Sequence, residues 1–159
     1  TKQSQRVRPP SDVIKGGRGT CIDLMLLFAA CLEYVEIYPV LMIMMGHAFP
    51  AYWSSENDYN EFKRKIQGDS GEETSGGKAW VIGPEHLETI VKFVEQKKLV
   101  AFDAVHLTKR LSFKSACDEG LAWLKDGHDG RKFGQVFQYM LDVMLARQND
   151  PPVTPLPIL

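Results

Sequence analysis

Gly19-Thr20-Cys21-Ile22-Asp23-Leu24 opens a long apolar helical run, and the fold is read outward from it. Thr20 stands as an N-cap with Asp23 three residues on, the spacing of a capping box, which puts Cys21 at the first helical position. Leu24, Leu27, Phe28 and Cys31 follow at helical spacing, while Met25, Leu26, Ala29, Ala30 and Leu32 fill much of the remaining circumference. A helix this apolar all round is covered on several sides, so the sequence predicts a central helix ending near Glu33 or Val35.

Upstream, residues 1–19 are polar, carry Pro9-Pro10 and finish in Gly16-Gly17-Arg18-Gly19, the composition of an extended arm with at most a short turn at Ser11–Ile14. Downstream, Pro39 separates the helix from the apolar run Val40–Met45, read as a buried strand. Gly46 breaks that run, and His47–Trp53 reads as its antiparallel neighbour, with Pro50 demanding an edge, a bulge or a missing ladder bond. Residues 54–77 are charged and polar; Gly68–Gly77 resembles a mobile surface loop, with a short helix read before it at Tyr59–Ile66.

Lys78–Ile82 reads as a further strand, and Leu87, Ile90, Val91 and Val94 mark one face of a helix closed by Lys97-Lys98. A strand from Leu99 to Asp103 and a helix from Phe113 to Leu124, capped by Ser112, come next. Phe133, Val136, Phe137, Met140, Leu141, Met144 and Leu145 predict a last helix over residues 132–148. Residues 1–149 then form one domain, and the prolines at 151, 152, 155 and 157 make residues 150–159 a tail or linker. A chain that starts at Thr1 is read as a processed or excised fragment.

Composition narrows the function classes. With 159 residues and 44% apolar content the chain can bury one substantial core. A net charge of -1, with no Lys/Arg stripe among the aromatics, lacks the footprint of a nucleic-acid binder. No apolar stretch is long enough to span a bilayer. Cys21, Cys31 and Cys117 cannot all pair and form no compact metal-ligand spacing, so a reducing, cytoplasmic setting without metal or cofactor is expected.

The chemistry-bearing residues are Cys21, His47 and Asp103. A cysteine at a helix start meets exposed amides and the positive end of the dipole, both favouring thiolate, with Arg18 a further positive charge if it points inward. The alternative is a small buried hydrophobe, as read for Cys31 and Cys117. His47, between Gly46 and Ala48, is sterically open and can face Cys21 with one nitrogen and a carboxylate with the other. It can also be a buried histidine bonded to backbone. Asp103, after Leu99-Val100-Ala101-Phe102, can accept from His47 Nδ1–H, or simply cap the next turn. Gln5, in the polar arm, is the preferred amide donor for an oxyanion beside the Cys21 N–H, against the alternative of a surface glutamine. His106 is the substitute base; His86 and His128 read as solvated, and Asp23 as a cap partner. Trp53, Trp80, Tyr52 and Phe49 line either a cleft or the core.

These residues resemble the transglutaminase-like superfamily, the broad group with a papain-like core. The resemblance rests on Gly19–Leu24 with Leu26–Glu33, on Gly46-His47-Ala48-Phe49, and on Asp103 in its short strand. It is nearest to the bacterial branch found inside or beside large helicase-related multidomain proteins, through Gln5-Arg6-Val7-Arg8-Pro9-Pro10 ahead of the cysteine and Leu156-Pro157 at the end. It implies an α+β fold in which the Cys21 helix packs on an antiparallel sheet carrying His47 and Asp103, with additional C-terminal helices and Gln5 at the oxyanion position. The chain departs from the family in having Ile22 and Phe49 where tryptophans are usual. The expected activity is acyl transfer by a Cys-His-Asp triad, with hydrolysis of a peptide or isopeptide bond in a protein substrate. The alternative is a non-catalytic interaction module fused to or associated with an effector domain. A third reading has activity awaiting a trigger, with residues 54–77 as a lid.

Overall fold

The computed structural model describes residues 6–69, 80–132 and 134–154. In chain order the elements are α1 (Pro10–Gly16), α2 (Cys21–Tyr34), β1 (Pro39–Met44), β2 (His47–Trp53), α3 (Glu56–Asp69), β3 (Val81–Ile82), a 3-10 turn (Pro84–His86), α4 (Leu87–Glu95), β4 (Leu99–Ala101), α5 (Ala104–Thr108), α6 (Phe113–Asp126), β5 (Phe137–Asp142) and α7 (Val143–Gln148). The five strands form one sheet in the order β3-β5-β1-β2-β4, antiparallel at every pairing. The protein is a mixed α+β fold with helices packed against this sheet.

The strand alternation sorts side chains to two faces. Val40, Met42 and Met44 of β1, Phe49, Ala51 and Trp53 of β2, and Leu99 and Ala101 of β4 join Tyr59 and Phe62 of α3, Leu87, Ile90 and Phe93 of α4 and Leu124 of α6 in one buried cluster. On the other face the alternate residues Leu41 and Leu141 meet Leu26, Ala29 and Ala30 of α2 across a groove closed by α1 and α7. The Cys21 helix therefore lies against the centre of the sheet, touching β1 and β2.

Pro50 sits in the interior strand β2 without a broken ladder. Its carbonyl accepts from Phe102 N–H at 3.1 Å, just past the end of β4, so the missing proline donor faces a point where the ladder has already finished.

One expectation is corrected. Residues 132–148 are not one helix: Phe137–Asp142 is strand β5, inserted between β3 and β1, and only Val143–Gln148 is helical. The cause is a bulge. The register runs from Ile43↔Tyr139 to Met44↔Phe137, skipping Gln138, which brings Phe137 and Met140, three apart, to the same buried face. Three-residue spacing is also the helical signature, and the unpaired edge of apolar β1 decides between them. Phe133 lies outside the described residues.

The short helix read at Tyr59–Ile66 is present and longer than expected. α3 occupies Glu56–Asp69, Ser55 Oγ accepts from Asp58 N–H at 3.1 Å, and Tyr59, Phe62 and Ile66 pack onto the core. The Tyr59 hydroxyl also donates to buried Asp142, whose carboxylate accepts from Leu145 N–H at 3.1 Å and caps α7. Of the stretch read as a lid, residues 56–69 form this packed helix, and residues 70–79 lie outside the described part. In the expected tail, Val153 N–H donates to Ala146 O and Val153 O accepts from Arg147, tying residues as far as 153 to α7.

Candidate active site

The start of α2 is built by Thr20 and Asp23. Thr20 Oγ1 accepts from Asp23 N–H, and Asp23 Oδ2 accepts from Thr20 N–H at 2.9 Å, the reciprocal capping box read from the sequence. Asp23 Oδ1 accepts from Arg8 N–H at 2.9 Å, which pins the N-terminal arm beside the helix start. At 1% exposure Asp23 is a buried carboxylate with each oxygen satisfied by backbone. Burial is the largest influence on it and pushes its pKa up; the N–H donors of Arg8 and Thr20 outweigh that and hold it below the ordinary value.

Cys21 is the first residue of that helix and is partly exposed. A hydrogen bond to His47 lowers its thiol pKa most; burial opposes it, and the backbone N–H groups of Ala48 and Ile22 add to the lowering. Arg18 is exposed and takes no part. Its carbonyl instead accepts from Arg8 Nη1 at 3.2 Å.

His47 closes the β1–β2 hairpin. It pairs with Met44 across the two-residue turn Met45-Gly46, where Gly46 has φ of 87°, a conformation few other residues adopt. With its side chain 11% exposed, the ring places Nε2 3.2 Å from Asp103 Oδ2. The expected donor was Nδ1; the structure assigns Nε2, and Nδ1 is left for Cys21. Burial pushes the imidazole pKa down, but the bonds to Asp103 and Cys21 override it and raise the pKa from 6.5 to about 9. Protonated imidazole beside an acidified thiol is the electrostatic condition of a thiolate-imidazolium pair.

Asp103 does both things the sequence left open. It follows β4 and is the N-cap of α5, with Oδ1 accepting from Val105 N–H at 2.9 Å and His106 N–H at 3.4 Å. Its Oδ2 accepts from His47 and from Trp123 Nε1–H at 3.1 Å. Burial, to 5% exposure, raises its pKa, yet His47 and the remaining donors hold it below the ordinary carboxylate value.

Cys21, His47 and Asp103 are thus brought together. Gln5 lies outside the described residues. His106 points elsewhere, bonding Ser115 Oγ at 2.8 Å, His86 sits 3.6 Å from Glu85, and His128 is exposed. Phe49 and Trp53 are core residues. The groove of about 530 Å³ between α1, α2 and α7 has Trp80 in its wall and none of the three site residues. Among the described residues, no group of three or more His, Cys, Asp or Glu side chains could hold a metal ion, and no helix is long and apolar enough to cross a membrane.

The sequence reading missed Trp123. Its ring lies 4.4 Å from that of His47 at 32°, while its N–H reaches Asp103. Trp123 is three residues from Gly120 and seven from Ala116, the helical positions that meet Asp103 and its approach, contacts that only the fold supplies. Comparison with protein-family models, curated proteins and solved structures finds no match to this chain. Fold and site together define a mixed α+β protein with a thiol, an imidazole and a carboxylate gathered at one helix start.

Proposed function

We propose that the chain is a cysteine-dependent acyl-transfer enzyme that hydrolyses peptide or isopeptide bonds, on a papain-like core of the transglutaminase-like kind. The observation that carries this is the position of His47, whose ring joins the helix-start thiol of Cys21 to the buried carboxylate of Asp103. The order of elements, cysteine helix, histidine strand, then an acid at the end of the strand paired with it, supports the same core.

In the reaction the Cys21 thiolate attacks the carbonyl carbon, and the C=O electron pair moves to oxygen. The capping box engages the N–H of Asp23, and the N–H of Cys21 at the helix start is the backbone donor offered to that oxyanion. Collapse breaks the C–N bond as His47 gives its Nδ1 proton to the leaving amine. Water then loses a proton to His47, attacks the thioester and frees the acid, restoring the thiolate. Asp103 keeps the proton on Nε2 and the ring in line. The substrate class is protein or peptide. All three cysteines are free thiols, consistent with a reducing setting such as the cytoplasm.

Alkylation by iodoacetamide at about pH 6, mapped by mass spectrometry in wild type, C21A, H47A and D103N, tests the reading. Rapid modification of Cys21 that disappears in H47A is expected, together with hydrolysis of a peptide or isopeptide panel that C21A abolishes. Equal modification of Cys31 or Cys117, or an H47A profile matching wild type, overturns it.

A further inference from the structure

We propose that Trp123 is the positioning residue of this site, donating its indole N–H to the oxygen of Asp103 that receives His47 while laying its ring face against the imidazole. The inference rests on the thiol-site reading above and deepens it.

Two contacts from one side chain converge on one hydrogen bond. The indole Nε1–H and His47 Nε2 both reach Asp103 Oδ2, at 3.1 and 3.2 Å. The other oxygen is committed to the backbone of Val105 and His106, so all of the carboxylate's partners fix its plane. With Oδ1 held by the α5 cap and Oδ2 by Trp123, Asp103 cannot rotate away when the imidazole moves a proton.

The second contact is with the ring itself. An aromatic face 4.4 Å from an imidazole favours its cationic form through the ring quadrupole, and it keeps water off the edge where Nε2 meets Oδ2. Phe49 completes the enclosure at 5.8 Å. Burial, the largest influence on His47, opposes the cation, while the bonds to Asp103 and Cys21 favour it and prevail, so Trp123 acts by holding those two partners in register. A tryptophan present only as core filling needs neither the bond to Oδ2 nor a face against the imidazole, and Trp123 is only partly buried.

The test reads the titration of His47 by NMR of imidazole-labelled protein, alongside the pH dependence of Cys21 alkylation. The variants are W123F, W123A and a chain with benzothienylalanine at position 123, which keeps the bicyclic ring and removes only the N–H. The His47 midpoint is expected to fall by roughly half a unit or more, a threefold or larger change in proton affinity, in W123F and the benzothienylalanine chain, which keep a ring over His47 and lose the N–H; W123A also admits water, which relieves the burial that opposes the cation and offsets part of its fall. The alkaline limb of Cys21 alkylation moves down in parallel. If wild type shows no His47-dependent reactivity of Cys21, the thiol-site reading fails. If wild type shows it and the midpoints of folded W123F and of the benzothienylalanine chain both coincide with wild type, the role of Trp123 alone is overturned. Should W123A not fold, those two decide.

Discussion

The backbone N–H of Asp103 donates to the carbonyl of Ala116 at 2.9 Å, so helix α6 and the segment that carries the site carboxylate are bonded directly to each other. This approach needs Gly120. A Cβ there would lie 2.8 Å from the carbonyl oxygen of Ala101 and 2.9 Å from its carbon, both backbone atoms that cannot swing aside.

Gly120→Ala therefore sets two effects against each other. Alanine gains roughly 1 kcal/mol of helix propensity, while forcing α6 off β4 costs about 1–3 kcal/mol of overpacking. A net loss of stability by urea denaturation is expected, with Cys21 alkylation slowed because the shift carries Asp103 and Trp123 away from His47. Unchanged alkylation in a folded G120A would show that α6 does not position the acid.

Asp103→Asn gives the side chain one acceptor where two are required. If the amide oxygen faces His47 and Trp123, the NH2 meets the N–H groups of Val105 and His106; if it flips, it meets those of His47 and Trp123. One half must fail, at about 1–2 kcal/mol for a lost cap or an unpaired buried donor. Denaturation together with the His47 midpoint checks it: both fall, because the amide carries no charge opposite the imidazolium in either orientation. A D103N chain with wild-type stability and a wild-type His47 midpoint would contradict the geometry.

Those local conflicts explain what was legible beforehand. The capping box at Thr20 and Asp23, the hairpin across Gly46 and the stripes of α4 and α6 depend on near neighbours and fixed spacing, and each stands where the pattern put it. Strand β5 was hidden because a bulge gave Phe137 and Met140 a helical interval, and the partner that decided the matter, β1, is nearly a hundred residues away in sequence. Cys21, His47 and Asp103 could be named from their chemistry. Trp123 could not, since its role is defined by contacts from α6 to two other elements. Which imidazole nitrogen meets the acid likewise follows from the angle between β2 and the start of α5, which no residue pattern encodes.

Asp23→Ala should cost about 2–4 kcal/mol, because it leaves the N–H groups of Arg8 and Thr20 without their charged acceptor at a buried site. Fraying of the first turn also moves the Cys21 sulfur relative to Ala48 and His47, so alkylation slows as stability falls. Thr20→Ala removes only the reciprocal half of the box, and a loss of about 1 kcal/mol is expected. A D23A chain as stable as T20A would mean that the bond from Arg8 contributes nothing.

The raised pKa of His47 makes part of the protein's stability depend on pH in a definite direction. A group whose folded pKa lies above its unfolded one binds its proton more tightly when folded, so its contribution is complete below the unfolded value and disappears above the folded value. For His47 the window runs from 6.5 to about 9. Asp103, held below its ordinary value of 3.8, follows the opposite rule: its contribution is present above that value and is lost as acid protonates it in the folded state. The stability difference between wild type and H47Q should therefore be largest between these two regions, near pH 5 to 6, and shrink steadily as the pH climbs through about 9. Urea denaturation of both chains across that range measures it. A difference that stays constant from pH 6.5 to pH 9 and beyond would mean that His47 is not protonated in the folded protein and that no imidazolium stands beside Cys21.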